Sequence, residues 1–219
     1  MLYIGLKSDL ALRVYTSRLI GQDPDLVMHG GGNTSVKTRR PDLFGEMGDV
    51  LHIKGSGWDL DTLEAPGLPG VWLAPLHRLR DLDSLSDEDM VNAQRRNLLD
   101  SGAPNPSVET LLHAYLPHKF VDHTHSTPFL VLANQPDAET LCRVIFGDRL
   151  AIVDYIMPGF QLFLAVMDAI AEVAPHPLPE VAPAQLVDQL AALVAAANAL
   201  EHGVTHFRKA EHTVADVRG

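Results

Sequence analysis

The chain has a single cysteine, Cys142, in 219 residues. No intrachain disulfide and no structural Cys cluster can therefore form, and any metal must be held by histidine and carboxylate. No apolar run is long enough to span a bilayer and no signal-peptide pattern is present, so the expectation is a cytoplasmic protein without a membrane partner. Basic residues are also scarce: 17 Lys and Arg face 28 Asp and Glu, for a formal net charge of −11. With no basic run, no RNA-reading aromatic–basic motif and no zinc-finger spacing, nucleic-acid binding is excluded as the main role, which points to a small-molecule partner. Glycine-rich stretches occur, yet none has the Gly-x-Gly-x-x-Gly spacing of a dinucleotide fingerprint or the Gly-Lys-Ser/Thr end of a P-loop.

What is present suits one large domain over residues 1–219, because 46% hydrophobic content at this length is enough to bury a substantial core. Apolar residues at helical spacing predict helices over Leu6–Ile20, Asp87–Leu99, Pro128–Asn134, Ala138–Phe146, Phe160–Ala174 and Ala184–Leu200. Alternating or β-prone runs predict strands after Asn33, over Asp49–Lys54, at Val71–Leu73 and over Arg149–Tyr155, with a further short strand near Glu201–Phe207. Pro175–Pro183 reads as a proline-rich connector.

Chemistry concentrates in four stretches. Phe120–Ser126 (FVDHTHS) reads as a strand, and residues two apart on a strand share a face, so His123 and His125 look the same way with Cα atoms roughly 6.5–7 Å apart. Such a pair can chelate a cation, although a His-x-His also arises by chance among 11 histidines. Upstream, Pro106–His118 is predicted as a helix with Asn105 as N-cap and Pro106 at the first position, which puts Glu109 and His113 on one face. Gly30–Lys37 (GGGNTSVK) enters a strand through three glycines, and Lys54–Leu60 (KGSGWDL) leaves one through a second small-residue turn. Glycines permit close backbone approach, so such loops can aim N–H groups at an anion; each alone is equally a tight turn.

These four stretches, in this order and spacing and with Met157–Phe160 (MPGF), resemble the class II aldolase/adducin N-terminal domain family, and specifically the aldolase part of bifunctional rhamnulose-1-phosphate aldolase/alcohol dehydrogenase proteins. The resemblance covers residues 5–170. It implies an α/β/α three-layer fold around a mostly antiparallel sheet, and a homotetramer. It further implies a divalent metal, zinc as a rule, held by His123, His125 and a third histidine, which the only later His-Gly places at His202. His206, His212 and water are the alternatives. From about residue 175 the chain departs from the family's pattern: a predicted helix runs straight into His202, and the segment after Gly203 reads VTHFRKAEH.

In the family's Pro-Ser-x-Glu pattern Glu109 is the general acid/base, moving a proton at the carbon of an enediolate that the metal stabilises. Asn33, Ser35, Ser56, Gly57 and Ser107 would hold the phosphate of a ketose 1-phosphate. Val108 stands where relatives often carry a second hydroxyl residue. The implied activity is a metal-dependent aldolase cleaving a rhamnulose- or fuculose-1-phosphate-like sugar to dihydroxyacetone phosphate and an aldehyde. A sugar-phosphate epimerase or decarboxylase on the same scaffold, and a non-catalytic adducin-like interaction module, are the alternatives.

Overall fold

The computed structural model describes residues 8–147, 150–157 and 159–172. The chain opens with helix α1 (Asp9–Gly21), capped by Ser8, whose hydroxyl accepts a hydrogen bond from the Ala11 N–H at 3.2 Å. Strands β1 (Asn33–Pro41) and β2 (Met47–Ile53) follow, then β3 (Gly70–Trp72), α2 (Leu73–His77), α3 (Asp87–Arg96), α4 (Thr110–Tyr115), β4 (Phe120–His123), α5 (Thr127–Ala133), α6 (Ala138–Phe146) and α7 (Phe160–Glu172). Among the described residues four strands form one antiparallel sheet in the order β3-β2-β1-β4, with Ser35 opposite Ile53 and Asn33 opposite His123.

Strand alternation sorts the two faces of this sheet. Thr34 and Asp122, which pair across β1 and β4, look toward α1: the Ser17 and Thr34 hydroxyls lie 2.7 Å apart and Arg13 pairs with Asp122. On this side Ile20, Val27, Leu60, Leu63 and Leu68 make a small core. Ser35, Leu51, Ile53 and Val71 look the other way, and the larger core there gathers Leu76, Met90, Leu111, Leu112, Phe163 and Val166 from α2, α3, α4 and α7. The result is the expected three-layer arrangement, helix, antiparallel sheet, helices. No helix among the described residues is long and apolar enough to cross a membrane.

Three elements differ from their sequence pattern. The helix expected over Pro106–His118 is confined to Thr110–Tyr115, because the backbone before it is already committed to the turn after β2. The Ser56 N–H bonds the Asn105 carbonyl at 2.8 Å, the Ser107 N–H bonds the Lys54 carbonyl at 3.2 Å, and Gly55 bridges Pro106. Asn105 is thus not an N-cap, and Glu109 stands at the mouth of the helix rather than inside it. At the other end Pro117 forces Leu116 into an extended conformation. The histidine strand stops at His123, since Asn33 opposite it is the first residue of β1 and Gly32, at φ +69°, turns the partner chain away. Residues 150–155 form no strand: Leu150 and Ile152 pack on Cys142, Phe129, Leu132 and Phe146, while Val153 joins the larger core. The Pro175–Pro183 connector, the helix expected over Ala184–Leu200 and the strand near 201–207 all lie outside the described residues.

The seam between α1 and the 58–68 segment depends on a missing side chain. A Cβ at Gly21 would sit 2.2 Å from the Asp61 nitrogen and 2.5 Å from the Leu60 carbonyl carbon, both backbone atoms that no rotamer change can move. Gly21→Ala should therefore cost about 1–3 kcal/mol, the usual range for overpacking, despite alanine's better helix propensity. Urea unfolding checks this; an unchanged or raised midpoint would contradict so close an approach.

Candidate functional site

Where β1, β4, the turn after β2 and the entrance of α4 meet, the surface opens into a cleft of about 540 Å³. Its wall contains Gly30, Gly31, Gly32 and Asn33 from one glycine-rich turn, Gly55, Ser56 and Gly57 from the other, and Ser107, Glu109, His123 and His125 between them. Gly32 is required here on two counts: its φ is positive, and a Cβ would lie 2.6 Å from the His123 carbonyl oxygen. The first glycine turn can thus close directly over the end of the histidine strand.

At the centre is the Glu109 carboxylate. His123 Nδ1 donates to Glu109 Oε2 at 3.1 Å, and Asn33 Nδ2 donates to the same oxygen and, at 3.1 Å, to Ser107 Oγ. The Glu109 N–H in turn bonds Ser107 Oγ at 3.3 Å, which fixes the local turn. Burial alone would push the Glu109 carboxyl up; His123, by charge and by hydrogen bond, and the Asn33 amide overcome that and hold it well below the usual carboxylate range. Glu109 is therefore ionised at rest. Because a carboxylate only accepts, His123 carries its proton on Nδ1, so in the neutral ring Nε2 bears the lone pair suited to a cation.

His125 stands beside His123 with ring centroids 4.9 Å apart, although it lies beyond the end of β4. Among the described residues no group of three or more His, Cys, Asp and Glu side chains is placed to hold a metal ion. Two imidazoles are two of the three protein ligands that a catalytic zinc site takes, so the donor set fits a divalent cation once a third is added. His202, the expected third, lies outside the described residues, as do His206 and His212. Asn33 Oδ1 is buried and has no hydrogen-bond partner among the described residues, an unsatisfied acceptor at the wall of the cleft that a bound group would satisfy.

Ser35 is placed differently from the other expected phosphate-holding residues. It is fully buried beneath the cleft, with Oγ 2.8 Å from His113 Nδ1, and belongs to the support of α4 rather than to the cleft wall. Lys54 is the residue that sequence reasoning passed over. Its Nζ donates to the Trp58 carbonyl at 2.7 Å and reaches the Gly30 carbonyl at 3.5 Å, so one cation ties the two glycine turns together inside the cleft. Its position, at a strand end directly before Gly-Ser-Gly, was the available signal. A larger cleft of about 840 Å³ lies at the far end of α4, around Lys37, Arg39, Tyr115 and Lys119. Its Arg39 and Lys119 are already paired with Asp49 and Asp9, and none of the residues above reaches it.

The chain belongs to the class II aldolase and adducin N-terminal domain family, whose model matches residues 12–205, a span that includes His202. It is similar to the N-terminal class II aldolase domain of a conserved protein from Thermoplasma acidophilum, with TM-score 0.70 and 41% identity over 74% of this chain and 75% of that one. It is also 40% identical over 163 residues to a Bacillus subtilis (strain 168) protein named "Uncharacterized oxidoreductase YuxG". That match takes in 74% of this chain but only 24% of the relative, so the chain spans about a quarter of the curated relative's length.

Burial drives His113 down to about 3, aided by His123 and opposed by Glu109. The folded state thus resists a proton that the unfolded state accepts from about pH 6.5 downward, so this contribution to stability is complete above pH 6.5 and is lost as pH falls toward 3. Between pH 7 and 5, before ordinary carboxylates titrate, His113→Asn should flatten the pH dependence of unfolding free energy by up to about 1.4 kcal/mol per pH unit. Parallel slopes for the two proteins would contradict a neutral, buried His113.

Proposed function

We propose that this chain is a metal-dependent aldolase that cleaves a ketose 1-phosphate of the rhamnulose or fuculose type to dihydroxyacetone phosphate and an aldehyde. The observation that carries the proposal is the Glu109 carboxylate, ionised and hydrogen-bonded to His123 and Asn33, in a cleft closed by two glycine-rich turns. The assignment to a class II aldolase family supports the reaction class.

In cleavage the C4 hydroxyl of the sugar loses its proton, the C3–C4 bond breaks, and C4 leaves as an aldehyde. The bonding pair becomes an enediolate over C2 and C3, and a proton delivered to C3 completes dihydroxyacetone phosphate. The step balances with the proton that the C4 hydroxyl gives up being taken up by the resting Glu109 carboxylate and returned at C3. Its resting ionised state is the one needed in the synthetic direction, where it removes the C3 proton. A divalent cation, zinc in this proposal, held by His123, His125 and His202 would supply the positive charge that an enediolate requires without a Schiff-base lysine. Ser56, Gly57, Ser107 and Asn33 line the cleft and would hold the phosphate in this proposal, with Lys54 in the same lining adding a positive charge. A homotetramer in the cytoplasm belongs to the same proposal.

The test is direct cleavage of rhamnulose 1-phosphate and fuculose 1-phosphate by the zinc-supplemented protein. Glu109→Gln, near-isosteric, should lower kcat by about 10²–10⁴-fold while leaving the fold intact. In parallel, elemental analysis should find about one zinc per chain in the parent, much less in His123→Ala and His125→Ala, and weaker retention in His202→Ala. Turnover unaffected by Glu109→Gln would return Glu109 to a structural role, and undiminished zinc in the histidine variants would remove these ligands from the account.

A further inference from the structure

The described residues that the reaction scheme uses line the cleft, while a buried pair of charges lies on the other side of the sheet. Arg13, on α1, is 1% exposed. Its Nη1 lies 2.6 Å from Asp122 Oδ1 and donates to the Ser35 carbonyl at 3.3 Å, while Nη2 donates to Thr16 Oγ1 at 2.7 Å. The guanidinium also stands 5.7 Å from the centroid of Phe120. One side chain from α1 therefore grips β1 through Ser35 and β4 through Asp122 and Phe120.

Stability is a poor explanation for this pair. Taking two charges out of water costs several kcal/mol per ion, and apolar replacements of similar volume often leave a protein as stable or more so. What the pair provides is a fixed geometry. β4 has only four residues, and among the described residues it pairs with β1 alone. The cleft residues hang on that short ladder: Asp122 precedes His123 in the chain, Thr34 opposite Asp122 follows Asn33, and Asn33 pairs with His123. A slide of β4 along β1 would carry His123 away from Asn33 and from Glu109.

We propose that Arg13 and Asp122 are positioning residues for the cation site, an ion pair behind the sheet that locks β4 against β1 and so sets where His123 and His125 present their imidazoles. The inference rests on the reading of these histidines as metal ligands. Residues that orient ligands without touching the metal typically govern affinity by about 10–100-fold.

The experiment measures zinc affinity of the full chain by competition with a chromogenic chelator, on variants whose folded state is confirmed by circular dichroism. Arg13→Met/Asp122→Leu removes both charges and leaves none buried and unpaired; it should bind zinc at least about 10-fold more weakly than the parent. Leu63→Ala, in the small core on the same side of the sheet, controls for lost stability and should keep the parent's affinity. Should the double variant not fold, Asp122→Asn replaces it, keeping shape while removing the charge, with a several-fold loss expected. Parent-like affinity in the folded double variant, or in Asp122→Asn where that replaces it, overturns the inference, as does an equal loss in Leu63→Ala. A parent that binds no zinc sinks the metal reading itself, and the inference with it, which separates the two failures.

Discussion

The pairing of Asn33 with His123 at the end of the β1–β4 ladder is the constraint on which the cleft depends. It brings an amide from the start of β1 beside an imidazole from the end of β4, and the Glu109 carboxylate closes the triangle from the entrance of α4. None of the three is adjacent in sequence, and each is held by backbone that serves a second purpose. The turn of Gly30–Gly32 ends the ladder and roofs the cleft. The turn of Lys54–Gly57 shortens α4 by occupying the backbone groups of Asn105 and Ser107, and in doing so places Glu109 at the helix mouth, where its carboxylate can face outward into the cleft.

This placement explains the electrostatics. A carboxylate buried to this degree is costly unless donors surround it, and here His123 and Asn33 supply them while Lys54 contributes positive charge nearby. The group remains ionised although it is largely buried. Beneath it, the neutral His113 and Ser35 support the helix with a buried hydrogen bond, so His113 and His123, which follow Glu109 in the chain, have opposite duties, one sealing the core and one facing the cleft.

Much of this was legible in the sequence, for physical reasons that differ by element. The α6 boundaries, Ala138–Phe146, follow from helical spacing alone, because nothing outside that segment competes for its backbone. The helix over 106–118 was overdrawn because a good local signal, Asn-Pro-Ser, was overridden by hydrogen bonds to a turn fifty residues away, which no local pattern records. Period-two alternation predicted that His123 and His125 would look the same way; their rings do meet, yet the second stands beyond the strand, so proximity survives a failure of the secondary structure that suggested it. Ser35 sat in the same motif as Asn33, two residues along the same strand face; whether such a residue lines a cleft or lies under a helix depends on where α4 ends, which the strand itself does not encode.

The central claim is that Glu109 carries a proton at C3 of the three-carbon product, and the most direct measurement needs no aldehyde. Dihydroxyacetone phosphate incubated with the zinc-supplemented protein in D₂O, followed by proton NMR, should lose one C3 proton signal to stereospecific exchange, and Glu109→Gln should abolish that exchange. No exchange with the parent protein, or undiminished exchange with Glu109→Gln, would contradict the account.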